Sequence, residues 1–197
     1  ILAQRLKVHL QELVEEFRGN DRLALGICNG FQVMMRLGIF FPGSESTPPA
    51  TLAQNRQARF EDRWVNLVNH NSNSVFLNGI ERMYLPIAHG EGRLAFSPNA
   101  DNQQLLASGQ LGLRYCGDAK SPAARSADTL LPFPDNPNGA AYNVAGLSDP
   151  SGRIFGLMPH PERYIDATHH PFWTRSKSLP QHGDGRKLFE NAVKFFA

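Results

Sequence analysis

The chain has 197 residues, 41% of them apolar and 19% charged, enough for one domain with a full hydrophobic core. Its net charge of +2, spread over scattered basic residues, excludes the electrostatic footprint of a nucleic-acid binder, and no apolar run approaches a membrane span. Two cysteines, Cys28 and Cys116, make no disulfide framework.

In chain order, Leu2, Leu6, Leu10, Leu13, Val14 and Phe17 recur at helical spacing, and Gly19 stops that helix. The amino terminus lacks a signal peptide's apolar region; it also lacks an initiating methionine and begins directly in a helical pattern, so it reads as the inside of a longer chain. Leu23 to Ile27 predicts a short buried strand, and Phe31 to Leu37 the start of a helix closed by Gly38. Between them lies Gly26-Ile27-Cys28-Asn29-Gly30. A nucleophile elbow needs such a turn, with small neighbours that let the side chain stand up at the carboxyl end of a sheet. The helix behind it aims its positive dipole end at the sulfur and favours a thiolate. A buried cysteine at an ordinary strand-to-helix turn fits the same letters. A nucleophilic Cys28 must stay reduced, which points to the cytoplasm.

A loop is predicted from Pro42 to Ala50, then strands at Arg63 to Val68 and Met83 to Ala88, joined by the polar turn Asn69 to Asn73. His70 reads there as a solvated loop histidine. Ala88-His89-Gly90-Glu91-Gly92-Arg93 reads as a loop that brings backbone and charge close to something small, or as a tight hairpin. A short helix at Asp101 to Ser108 precedes a strand at Leu111 to Cys116, with Cys116 a core residue. Gly117 to Pro134 reads as a long insertion, and Asn136-Pro137-Asn138-Gly139 as a turn. Ala141 to Leu147 and Arg153 to Met158 form a hairpin about Asp149-Pro150-Ser151-Gly152.

In Met158-Pro159-His160-Pro161-Glu162-Arg163 two prolines fix the backbone around His160. In an extended segment Glu162 lies on the same face, where its carboxylate can hold one imidazole tautomer. Alone such a pair is structural more often than catalytic; with an elbow cysteine it makes a candidate Cys-His-Glu triad. His169, His170 and His182 follow in an irregular stretch from Asp166 to Gly185 whose spacing matches no usual zinc pattern, so no metal is expected. A last helix from Gly185 to Phe196 should bury Leu188, Phe189, Val193 and Phe196. The order of helices and strands predicts one α/β domain over residues 1–197, a sheet with helices on both faces.

Gly26-Ile27-Cys28-Asn29-Gly30 and His160-Pro161-Glu162 resemble, in order and type, the triad (class I) glutamine amidotransferases. Within that class the chain is similar to the glutaminase of phosphoribosylformylglycinamidine synthase. The similarity includes Phe31-Gln32, His89-Gly90-Glu91-Gly92, Asn136 to Gly139, Arg163 and Gly183 to Phe189. The resemblance implies a flavodoxin-like open sheet, with Cys28, His160 and Glu162 as the triad and the Asn29 N–H in the oxyanion hole. It implies that Gln32, His89, Gly90 and Glu91 contact substrate glutamine. It also implies an earlier strand and a glycine loop carrying a second oxyanion donor, both ahead of the first helix, and neither is found in this sequence. Nothing here matches a phosphate-binding loop. ATP and Mg are therefore expected on a synthetase partner, with no cofactor in this chain. A glutaminase serving a GMP, CTP or carbamoyl phosphate synthetase, an inactive scaffold module and a cysteine protease are the competing readings.

Overall fold

The computed structural model describes residues 14–45, 47–98, 100, 102–118 and 129–197. Residues 14–19 are helical; the rest of the first expected helix and most of the expected 117–134 insertion lie outside the described residues.

Eight strands and three helices follow: β1 (Ala24–Ile27), α1 (Asn29–Leu37), β2 (Ala50–Gln54), β3 (Glu61–Asn69), β4 (Arg82–His89), β5 (Glu91–Phe96), α2 (Asn102–Ala107), β6 (Leu113–Cys116), β7 (Val144–Ser148), β8 (Ile154–Leu157) and α3 (Arg186–Lys194). Six strands form one mixed sheet in the order β1-β8-β7-β6-β3-β4, and β2 pairs with β5 in a separate ribbon. Only β1 and β8 run parallel; the other pairs are antiparallel. The expected hairpin is present as β7 and β8 with Leu147 opposite Gly156, and Gly152 closes its turn at φ 73°. Residues 141–143 form a short 3-10 turn where the hairpin's first strand is expected to begin.

Consecutive residues of β8 point to opposite faces. Phe155 stacks on Phe76 with ring centroids 6.0 Å apart, while a side chain on Gly156 would run into the Phe31 ring of α1. Hence α1 covers one face and the helical turn Val75–Leu77, backed by α3, covers the other. Leu67, Leu85, Ile87, Leu113, Leu147, Phe155 and Leu157 fill the core.

Three expectations are corrected. β2 is a strand where no element is predicted past Ala50, and β5 replaces most of the loop expected at Ala88 to Arg93, because Ala50 and Leu52 alternate inward and pair with Phe96 and Leu94. His89 ends β4 and Glu91 starts β5, so Gly90 alone links the sheet to the ribbon. In α3, Leu188 and Asn191 are buried, whereas Val193, and Phe196 just past the helix end, are 71% and 63% exposed. At about 100° per residue, Val193 lies roughly 140° around the helix from Leu188, off the inward face.

The two outer strands, β1 and β4, sit at opposite ends of the six-stranded order. A flat sheet would hold them about 24 Å apart, five spacings of about 4.8 Å. Yet Cys28 Sγ, just past β1, lies 3.9 Å from the Ala88 carbonyl oxygen of β4. The sheet therefore curls until its edges converge, and they converge at the elbow. No helix among the described residues is long and apolar enough to cross a membrane.

Candidate active site

The elbow is built as the sequence predicts. Cys28 has φ 50° and ψ −103°, a strained backbone for a residue bearing a side chain. Its N–H donates to the Leu157 carbonyl (2.9 Å), and its own carbonyl accepts the Gln32 N–H (3.0 Å) at the first turn of α1. Of the two flanking glycines only Gly26 is demanded by space. A Cβ there would lie 2.3 Å from Met34 Sδ and 2.9 Å from the Phe31 nitrogen, whereas one on Gly30 meets nothing.

His160 is held from both ends. Its backbone N–H donates to the Pro86 carbonyl (2.8 Å), on the edge of β4 that faces away from β3. The same edge offers the Tyr84 N–H to Asp184 Oδ2 (2.7 Å), and Pro86, lacking an N–H, costs this edge no ladder bond. His160 Nδ1 lies 2.6 Å from Glu162 Oε1. A carboxylate only accepts, so Nδ1 carries a proton, and the neutral ring then has its lone pair on Nε2. Nε2 is buried and has no hydrogen-bond partner among the described residues. Pro161–Arg163 is a 3-10 turn rather than the expected extended segment, and proline favours that start through its fixed φ. The His–Glu contact forms all the same.

Cys28, Asn29, Gln32, His89, Gly90, His160, Glu162 and Arg163 line one cavity of about 400 Å³. A cavity of about 470 Å³ lies beside α3, but its Asn69, Asn73 and Asn191 carboxamides are spent on backbone carbonyls. Glu91 is the expected site residue whose side chain does not reach the catalytic cavity. Its carboxylate pairs with Arg36 (3.3 Å) at the surface, and its carbonyl accepts from Gln32 Nε2 (2.6 Å). His169, His170 and His182 build no metal cluster among the described residues; His170 packs in an aromatic nest with Trp64, Tyr84 and Tyr164.

The electrostatics act on the Cys28 thiol in both directions. Burial pushes the Cys28 thiol up, and this outweighs the Asn29 N–H and the Arg163 cation, which favour the anion; Glu162 also acts upward. His160 lines the same cavity as the sulfur, and its Nε2 has no hydrogen-bond partner among the described residues, so it can serve as base to a thiol. His89 is brought to about 4 by burial first, then by the charge of His160, with Glu61 acting the other way. It is neutral near pH 7.

Asn55, Pro86, Ala88 and Phe60 also shape the site, and the sequence pattern signals none of them. Asn55 follows an unrecognised strand, and the Pro86 and Ala88 contributions are backbone carbonyls, which any residue type carries. Asn138, read as a turn residue, donates through Nδ2 to the Gly92 carbonyl (2.9 Å) and so steadies β5 behind His89.

A strained cysteine after a strand and a proline-bracketed histidine on a carboxylate thus share one cavity. The chain belongs to the family described as CobB/CobQ-like glutamine amidotransferase domain, matched over residues 1–196. It is 41% identical to the phosphoribosylformylglycinamidine synthase subunit PurQ of Dehalococcoides mccartyi, over 99% of this chain and 72% of that one. Identity to the subunit of the same description from Methanococcus maripaludis is 37%, over 98% and 73%. Among solved structures, that of PurLQS from Thermotoga maritima superposes with a TM-score of 0.64, at 26% identity, over 98% of this chain and 72% of that one.

Proposed function

We propose that this chain hydrolyses glutamine to glutamate and ammonia and passes the ammonia to a synthetase that makes formylglycinamidine ribonucleotide in purine biosynthesis. The observation that carries the chemistry is the 2.6 Å His160–Glu162 contact in the cavity that also receives Cys28. The names of the relatives at 41% and 37% identity support the pathway and the synthetase partner.

His160 Nε2 takes the thiol proton, and the Cys28 sulfur attacks the side-chain carbonyl carbon of glutamine. The negative charge moves to the carbonyl oxygen, where the Asn29 N–H at the head of α1 stabilises it. The imidazolium returns its proton to the leaving nitrogen, the C–N bond breaks, and ammonia departs. A glutamyl thioester remains. Water, deprotonated by His160, attacks that carbon; the C–S bond breaks, and glutamate and the thiol are restored. Glu162 holds the ring and offsets its charge when protonated. Gln32, braced by the Glu91 carbonyl, and His89 and Gly90 contact the substrate. The chain uses no cofactor of its own; ATP and Mg act on the synthetase. Two free cysteines suit a reducing cytoplasm.

The test is glutamate release from glutamine, with and without the synthetase, for this chain and for Cys28→Ala. Release that rises with the synthetase and vanishes in Cys28→Ala is expected. Equal release from both chains would overturn the reading.

A further inference from the structure

Asn55 is 2% exposed and follows β2 directly. Its N–H donates to the Gly90 carbonyl (2.9 Å). Its carboxamide nitrogen donates to the carbonyls of Arg59 (3.0 Å) and His89 (2.8 Å). Two acceptors thus fix which end is nitrogen, and the carboxamide oxygen is what meets His89 Nδ1 at 3.0 Å. That oxygen only accepts, so the His89 proton sits on Nδ1 and Nε2 is left with its lone pair. Nε2 is buried and has no hydrogen-bond partner among the described residues. The ring fits only because residue 92 is glycine, where a Cβ would lie 2.8 Å from it. His89 therefore repeats the arrangement of His160, and both rings line the cavity with Cys28.

We propose that Asn55 is a positioning residue for glutamine hydrolysis: it locks His89 in the Nδ1–H tautomer, so that the Nε2 lone pair accepts an N–H of the substrate carboxamide. The proposal rests on the glutaminase reading above and deepens it. Its consequence is selectivity. A lone pair welcomes the amide of glutamine and repels the carboxylate of glutamate, so the product does not linger. The carboxamide end is favoured over the amino-acid end because His89 lines the same cavity as Cys28 and as His160, which works on the leaving nitrogen. The other groups around the ring are Glu61, itself bound by Arg59 and Arg63, with Cys28, Glu162 and Arg163 along the same cavity. A neutral His89 keeps this acceptor available near pH 7.

The experiment compares the unmodified chain with Asn55→Asp, each with the synthetase, measuring glutamine KM, kcat and glutamate inhibition from roughly pH 6 to pH 9. A carboxylate in place of the carboxamide favours the His89 cation, which offers a donor where an acceptor is required. At the acid end KM should rise about tenfold or more, and glutamate should inhibit about tenfold more tightly. Both effects should fade at the alkaline end, with kcat little changed. Unaltered selectivity, or a loss equal at every pH, overturns the proposal. Should Asn55→Asp not fold, nitrogen NMR of Cys28→Ala, which binds without turnover, decides. Protonated Nδ1, bare Nε2 and an Nε2 shift on adding glutamine are expected; a proton on Nε2, or an Nε2 unmoved by glutamine, overturns it. These NMR results stand apart from the function reading, which Cys28-dependent glutamate release tests.

Discussion

At the scale of single residues, the elbow separates its two glycines by what surrounds them. Gly26→Ala forces a methyl group into Met34 Sδ and the Phe31 backbone, and backbone cannot step aside. It should cost about 1–3 kcal/mol in urea unfolding. Gly30→Ala meets open space inside α1 and should be neutral or add up to about 1 kcal/mol. At the proposed triad, Glu162→Gln keeps an acceptor for Nδ1 but removes the charge that would steady an imidazolium. We expect kcat to fall about a hundredfold or more, with glutamine KM within about twofold, in steady-state glutaminase assays. A matched loss in KM would mean that Glu162 binds substrate instead.

At the scale of elements, α3 is fastened by a polar residue where an apolar face is expected. Asn191 donates from Nδ2 to the carbonyls of Phe76 (2.9 Å) and Asn78 (2.7 Å). Asn191→Leu leaves both carbonyls short of a donor in a buried place, and should cost about 1–3 kcal/mol. Because α3 does not line the catalytic cavity, glutamine KM should stay unchanged in the same preparation. The β4 edge works in the opposite sense. Its outward groups, which an edge strand normally leaves to water, hold the His160 backbone and face the Cys28 sulfur.

At the scale of the whole molecule, the curl of the sheet closes the cavity and buries His89, and burial gives stability a pH dependence. His89 has an ordinary value of 6.5 and about 4 in the fold. Above pH 6.5 it is neutral folded or unfolded and contributes nothing. As pH falls from there toward 4, the unfolded chain takes a proton that the fold refuses. Stability should drop by roughly 3 kcal/mol across that window. Urea midpoints of the wild-type chain and of His89→Gln, measured through the window, check this: the variant should lack that part of the slope. Glu61 adds to acid sensitivity. Although burial acts upward, the Arg59 and Arg63 guanidiniums bring its carboxyl below the ordinary range, and that contribution is lost as acid protonates it.

By itself the sequence determined the strand, elbow and helix around Cys28, the His160–Glu162 pair, the β7–β8 hairpin and the α/β class. These rest on local chemistry: apolar periodicity, proline-fixed φ, and turn residues at set spacing. The β2–β5 ribbon was hidden because its partners lie some forty residues apart and its strands carry glycine, glutamine and arginine. The burial of the Cys28 thiol, the buried face of α3, the Asn55–His89 pair and the meeting of β1 with β4 were decided only by the tertiary structure. Each depends on desolvation, or on which backbone groups face one another across the fold, and neither quantity exists until distant segments have packed.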